Sequence, residues 1–248
     1  MSKVLTGKTI VITRPVHQAA PLARQIEELG GKTLIFSTLE ILPIADNRSL
    51  MAAVSHLAEY QIAIFVSANA VSYALPHCPQ PFPAIAIAIG PGTARALADY
   101  HVQPVLTPES HHSEGLLELP ALQNIRGQKI AIFCGENTRS MLSAALTGRG
   151  AMVDEIICYR RHCPDLDPRP ALQQWQTEHV DLIISTSSEN LENLWRLFAK
   201  IDREWLLRTP LLVISSAMAA QARQWGFQSV ITAHGASDQA ICAALKEP

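Results

Sequence analysis

The sequence predicts an α/β protein built as two doubly wound lobes, each around a parallel sheet. Three observations carry that expectation. Short apolar runs alternate with stretches of helical periodicity along the whole chain. The same order of segments occurs twice, about 120 residues apart. A length of 248 residues also falls in the range where one hydrophobic core gives way to two.

Ten strand-like runs are read, at 9–13, 33–37, 62–66, 85–89, 103–106, 130–134, 153–158, 181–186, 211–215 and 228–232. The first, KTIVITRP at 8–15, leads into a helical window through Leu22, Ile26 and Leu29, a Gly30-Gly31 turn and a second strand. That paragraph returns as QKIAIFCG at 128–135, Leu142 and Leu146, Gly150-Ala151 and VDEIICY. IAIFVSAN at 62–69 is answered by LIISTSSE at 182–189, which sets Ser67 opposite Ser187. AIAIGPGTARAL at 86–97 is answered by LLVISSAMAAQA at 211–222, each followed by an aromatic residue (Tyr100, Trp225) and a short strand. A period this long means two related lobes, not a solenoid. Strand and helix in strict alternation imply right-handed crossovers and parallel sheets covered on both faces.

Two proline-containing segments, LEILPIADN at 39–47 and CYRRHCPDLDP at 158–168, are candidate crossings between lobes. Proline cannot donate to a sheet ladder, so Pro43 and Pro164 demote their surroundings to edge strand or linker. With both as crossings, residues 1–38 and 164–248 form one lobe and 42–158 an inserted one, with linkers at 39–41 and 159–163 and five strands in each lobe. A single cut near residue 122 would also give five and five. The double crossing is preferred.

Hydrophobic residues make up 48% and charged residues 17% of the chain, the balance of an ordinary globular protein. The first residues, MSKVLTGKTIVITRP, hold no apolar run of the length a signal sequence or membrane span requires. Five scattered cysteines without C-x-x-C spacing argue against disulfides and zinc, and fit reduced thiols in a cytoplasmic protein. A net charge of −2 supplies no field for nucleic acid, so an anionic ligand must be held by local donors. Monomer is the default expectation.

Ligands of open α/β sheets sit beyond the carboxyl ends of the strands, where helix N-termini offer free amides. Here those ends are Thr13-Arg14, Ser67-Ala68-Asn69, Gly90-Pro91-Gly92-Thr93, Cys134-Gly135-Glu136-Asn137, Thr186-Ser187-Ser188 and Ser215-Ser216. Each hydroxyl could be only a helix cap, but six such ends together suggest a hydroxyl- and amide-rich cleft. GPGTAR lacks the third glycine of a dinucleotide fingerprint, and no phosphate-loop motif occurs. His111-His112 with Glu109 and Glu114 read as solvated loop residues before a Ser113 helix cap. Tyr159, between Cys158 and Arg160-Arg161, fits either a phenol that gives a proton to a leaving hydroxyl or a packing residue at a domain joint.

Taken in order, TRP at 13–15, FVSANAV at 65–71, AIGPGTARAL at 88–97, SEGLL at 113–117, GENTR at 135–139 followed by RGAMVDEIICYRR, and the Thr-Ser end at 186–187 resemble the uroporphyrinogen-III synthases over essentially the whole chain. The resemblance implies two lobes joined by a two-stranded linker, the first built from both termini, with the ligand cleft between them. It implies an enzyme that expels the terminal hydroxyl of the linear tetrapyrrole hydroxymethylbilane as water and closes the macrocycle with inversion of the last ring through a spiro intermediate, without metal or organic cofactor. Tyr159 stands at the position of the family's usual candidate for assisting hydroxyl loss. Thr13, Arg14, Ser67, Asn69, Gly90, Thr93, Gly135, Arg139 and Ser187 fall at its matching cleft motifs. Cys134 stands where relatives often carry arginine, and Ser215-Ser216-Ala217-Met218 replaces a Gly- and Thr-containing turn. The expected partner is a small polycarboxylate, with neither nucleic acid nor membrane, and with room for transient handover from the preceding pathway enzyme. A two-lobed binding protein without chemistry and a glycosyltransferase are the competing classes; the latter should show a sugar-nucleotide phosphate site, which the sequence lacks.

Overall fold

In the computed structural model, residues 4–136 and 141–246 are described. Eleven strands occur among them: β1 (Thr9–Ile12), β2 (Lys32–Ile35), β3 (Glu40–Pro43), β4 (Ile62–Phe65), β5 (Ile85–Ala88), β6 (Val105–Leu106), β7 (Lys129–Gly135), β8 (Met152–His162), β9 (Leu182–Ile184), β10 (Leu211–Val213) and β11 (Val230–Thr232). The helices are α1 (Val16–Glu28), α2 (Arg48–Ser55), α3 (Ala68–Ala74), α4 (Pro91–Asp99), α5 (Ser113–Glu118), α6 (Met141–Gly148), α7 (Arg169–Thr177), α8 (Ser188–Phe198), α9 (Arg203–Arg208), α10 (Ser216–Trp225) and α11 (Asp238–Ala244). The chain divides into two compact units, Met1–Glu40 with His162–Pro248, and Ile41–Arg161.

The first unit carries a five-stranded sheet in the order β11-β10-β9-β1-β2, in which every neighbouring pair runs parallel. Its three central strands, β10, β9 and β1, are buried on both faces, so alternate residues feed two separate cores. Ile10, Ile12, Leu182, Ile184 and Leu212 pack under α1 and α11. Val11, Ile183, Leu211 and Val213 point the other way, toward Trp175 and Phe198, whose rings stack at 4.6 Å.

The second unit carries a six-stranded sheet, β3-β8-β7-β4-β5-β6. Here the two faces differ in kind. Ile62, Ile64, Ile87, Ile130 and Ile132 cover one; Ala63, Ala86, Ala88 and Ala131 line the other, with Phe65 and Phe133 among them. The small alanines leave room for those two rings, which stack at 4.6 Å and 6° on adjacent strands.

Three elements depart from the sequence expectation. Glu40–Pro43 forms an eleventh strand, making five and six instead of five and five; Pro43 closes it at the sheet edge, where a missing donor costs least. The run at 103–106 contracts to Val105–Leu106, since Pro104 has no amide to pair. The strand expected to end at 158 continues to His162, so most of the stretch expected as a linker at 159–163 lies within β8, and that at 39–41 overlaps β3. Phe133→Ala is expected to destabilise the protein by about 3–5 kcal/mol through the cavity left beside Phe65, measured by urea unfolding; a loss below about 1 kcal/mol would contradict this packing.

Candidate functional site

The carboxyl ends of β4, β5, β7 and β8 lie side by side in the second unit. Register aligns Phe65 with Ala88 and with Phe133, and Gly135 with Tyr159. Between Cys134 and Gly135 the ladder slips: Cys134 faces Ile157, yet the next residue, Gly135, faces Tyr159. Two residues of β8 thus oppose one of β7. In an unbroken pleat Tyr159 would point away from the face that holds Ile156 and Cys158. The bulge turns it back, so all three pack in the core of Phe65 and Phe133 while Ile157 is 40% exposed.

Gly135 makes that turn possible. A Cβ there would lie 2.6 Å from Tyr159 Cζ and 2.9 Å from its hydroxyl. The phenol ring also stacks on Tyr73, centroids 6.1 Å apart and planes inclined by 24°, and the Tyr73 hydroxyl donates to the Ile41 carbonyl at 2.8 Å. Arg161 sits 5.9 Å from the centre of the Tyr159 ring. Tyr159 is only 1% exposed, and its hydroxyl is 3.1 Å from Ser67 Oγ. Ser67 is partly exposed and caps α3, its Oγ accepting from the Ala70 amide at 3.0 Å.

Beside it, Gly90 caps α4 without a side chain, and Pro91 follows as the first helical residue. The bare Cα of Gly90 accommodates His111, whose Cβ would be 3.1 Å from an added Cβ. Thr93 is buried at the start of the same helix, and Asn69 is half-buried near the start of α3. Burial pushes the Cys134 thiol up to about 11 and the Cys158 thiol up as well. Both remain protonated at neutral pH, which makes them packing groups and not nucleophiles.

In the first unit the corresponding rim is internally satisfied. Thr13 is fully buried and its hydroxyl donates to the Ile184 carbonyl at 2.9 Å. Arg14, 8% exposed, donates to Asp238 Oδ1 at 2.5 Å, the Ala236 carbonyl at 2.7 Å and Thr186 Oγ1 at 3.1 Å. It fastens the start of α11 to the end of β1. Ser187 caps α8, accepting from the Asn190 amide at 3.1 Å and donating to Asn190 Oδ1 at 2.6 Å. Asn190 in turn donates to the Thr13 carbonyl at 2.7 Å, while the Thr38 hydroxyl donates to the Asn190 carbonyl at 3.1 Å. Arg139 lies outside the described residues.

Of the residues singled out in sequence, Ser67, Gly135 and Tyr159 thus form one contact cluster, with Gly90 and Thr93 at the neighbouring strand end. Thr13 and Ser187 are joined through Asn190, and Arg14 runs alongside them to Asp238. Sequence reasoning missed Asn190, Thr38, Asp238 and the packing of His111 on Gly90. Asn190 alone carried a local signal, a polar side chain three residues after a capping serine. Among the described residues no group of three or more His, Cys, Asp or Glu is placed to hold a metal ion, and no helix is long and apolar enough to cross a membrane. A cavity of about 590 Å³ in the first unit opens at the opposite, amino ends of the strands, where its Lys8–Asp181 and Arg208–Glu204 charges are already paired.

A family model described as Uroporphyrinogen-III synthase HemD matches residues 20–243. The chain belongs to the uroporphyrinogen-III synthase family. A uroporphyrinogen-III synthase of Escherichia coli (strain K12) is 34% identical over 96% of this chain and all of its own length. That of Synechococcus elongatus is 31% identical over 86% of this chain and 83% of its own. Among solved structures, a mutant uroporphyrinogen III synthase of Thermus thermophilus superposes with a TM-score of 0.62 at 20% identity, covering 97% of this chain and 100% of its own. The Helicobacter pylori 26695 protein does so with 0.61 at 16%, covering 95% and 97%. These two establish that the fold is shared with solved synthases.

Two consequences of the geometry are measurable in this family member. Arg14→Met is expected to cost about 2–4 kcal/mol, because it strands Asp238 in a largely buried position, and to expose the amides of α11 first in hydrogen exchange; unchanged protection there would refute the fastening role. Gly135→Ala is expected to cost about 1–3 kcal/mol by overpacking, falling close to zero in a Tyr159→Ala background. Equal costs in both backgrounds by urea unfolding would show that the clash lies elsewhere.

Proposed function

We propose that the chain converts hydroxymethylbilane to uroporphyrinogen III and water, acting as a cyclising carbon–oxygen lyase. The observation that carries this reading is the Tyr159 hydroxyl, held by a strand bulge and a missing side chain against a partly exposed serine at a strand carboxyl end. Family membership supports the substrate. A phenol in that setting can supply a proton to a leaving hydroxyl, and Arg161 lies 5.9 Å from the centre of its ring.

The chemistry asks for little more from the protein. Loss of water from an electron-rich hydroxymethylpyrrole leaves a resonance-stabilised azafulvenium, which attacks the substituted carbon of the far ring. The resulting spiro intermediate fragments and recloses with that ring inverted. The linear substrate also closes unaided without inversion, so the enzyme must favour one closure over another. A thousandfold preference corresponds to about 4 kcal/mol of differential transition-state stabilisation, within what orientation of a flexible substrate can supply.

Substrate contacts are proposed on both rims. Ser67, Asn69, Gly90, Thr93 and Gly135 serve on one, and Ser187 on the other, with Thr13 and Arg14 holding that rim in shape. Arg139 is proposed as a carboxylate partner from its motif alone. The substrate carries acetate and propionate groups, and a chain of net charge −2 meets them with local amides and hydroxyls, not a basic surface. Because the substrate closes by itself, direct handover from the enzyme that makes it, in the cytoplasm, belongs to the same proposal.

Incubation with freshly generated hydroxymethylbilane, followed by isomer analysis, tests the reading. Predominantly the type III isomer is expected. Only type I, formed at the rate seen in buffer, would overturn it. Tyr159→Phe is expected to slow turnover without abolishing it, and complete inactivity of a folded variant would contradict the view that orientation dominates.

A further inference from the structure

The two units use the same serine differently. Ser67 and Ser187 occupy matching places in the internal repeat, each capping the helix that follows the matching strand. At Ser187 the hydroxyl proton is directed inward, to Asn190 Oδ1 at 2.6 Å. The residue at the same place in the second unit is Ala70, which has no side-chain oxygen to take it. Instead, Ser67 Oγ has the Ala70 amide at 3.0 Å and the Tyr159 hydroxyl at 3.1 Å.

A serine oxygen has two acceptor positions and one proton. With the amide and the phenol both donating to it, both acceptor positions are filled and its own proton is left to point elsewhere. Tyr159 is 1% exposed whereas Ser67 is partly exposed, so a group arriving at this strand end meets the serine first. Two donated hydrogen bonds also withdraw density from Oγ and make its proton easier to give.

We propose that Ser67 is the group that protonates the leaving hydroxyl, and that Tyr159 acts through it as the proton reservoir. This rests on the cyclising-lyase reading above. The Ser67 proton moves to the hydroxyl oxygen of the substrate as the carbon–oxygen bond breaks, its electron pair leaving with the oxygen as water. The Tyr159 proton moves to Ser67 in the same event, leaving a phenolate near Arg161. The azafulvenium cation formed on the substrate is consumed by ring closure, and the proton lost when the pyrrole regains aromaticity returns through Ser67 to Tyr159. No oxidant, reductant or further reactant is needed. Gly135 is a positioning residue for the reservoir, since any side chain there would push the phenol off the serine.

The test is steady-state kinetics on the full chain with freshly generated hydroxymethylbilane, comparing Ser67→Ala, Ser67→Asp, Tyr159→Phe and the Ser67→Ala/Tyr159→Phe double variant. Ser67→Asp keeps a helix cap but has no proton to pass on, and the urea midpoint of each variant monitors folding. Each single variant is expected to lose roughly tenfold to a hundredfold in kcat, at or below the lower end of general acid catalysis, with little change in KM. The double variant should be no slower than the slower single one, and a bowed dependence of the wild-type rate on deuterium fraction should become linear in Ser67→Ala. Losses that multiply in the double variant, an unchanged kcat in Ser67→Ala, or recovery of kcat by Ser67→Asp would each overturn the relay while leaving the lyase reading intact. A wild-type chain that forms only the type I isomer at the buffer rate would overturn both.

Discussion

The slip between β7 and β8 at Cys134 and Gly135 is the constraint on which the candidate site depends. It reverses the direction of one side chain on a strand that otherwise alternates, and it does so at the carboxyl end, where an α/β sheet presents its ligand groups. Bulges between parallel strands are uncommon, and this one is tolerated because the opposing residue has no Cβ to collide with the ring brought across. Tyr73 and the Phe65–Phe133 stack then hold the phenol from the core side. Backbone register, a glycine and aromatic packing together fix a hydroxyl against Ser67, with no charged group needed to place it.

The first unit shows what the same architecture does without that slip. Its rim spends its polar groups on itself: Thr13, Thr38, Ser187 and Asn190 close a hydrogen-bonded ring of side chains and carbonyls, and Arg14 ties in α11. Buried and mutually satisfied, such a network rigidifies its surroundings and leaves few donors to spare. The same order of segments therefore gives one rim built for stiffness and one with a hydroxyl chain leading inward from the surface.

Much of this was legible in the sequence for physical reasons. Ile10, Ile12, Ile62, Ile64 and their counterparts announce strands because a doubly covered parallel sheet requires continuous apolar runs, and Ser67 and Ser187 announce helix starts because they cap them. The matched order of short motifs pointed to the family and to Tyr159. What stayed hidden depends on contacts between distant residues. Glu40–Pro43 looked like a linker because edge strands carry weak apolar signals and can end in proline. Arg14 falls at a cleft motif, and nothing local shows that Asp238, 224 residues later, claims its guanidinium. Cys158 and Tyr159 pack into the same core, which the alternation of a regular strand would deny. A bulge is written in pairing, not in composition.

The most direct measurement is a crystal structure of the Gly135→Ala variant. An added methyl 2.6 Å from Tyr159 Cζ falls about 1 Å short of ordinary carbon–carbon contact. The Tyr159 ring is expected to have moved by about that much, with its hydroxyl no longer bonded to Ser67. A variant in which the ring, the slipped register and the Ser67 contact all remain in place would contradict the claim that this glycine positions the phenol.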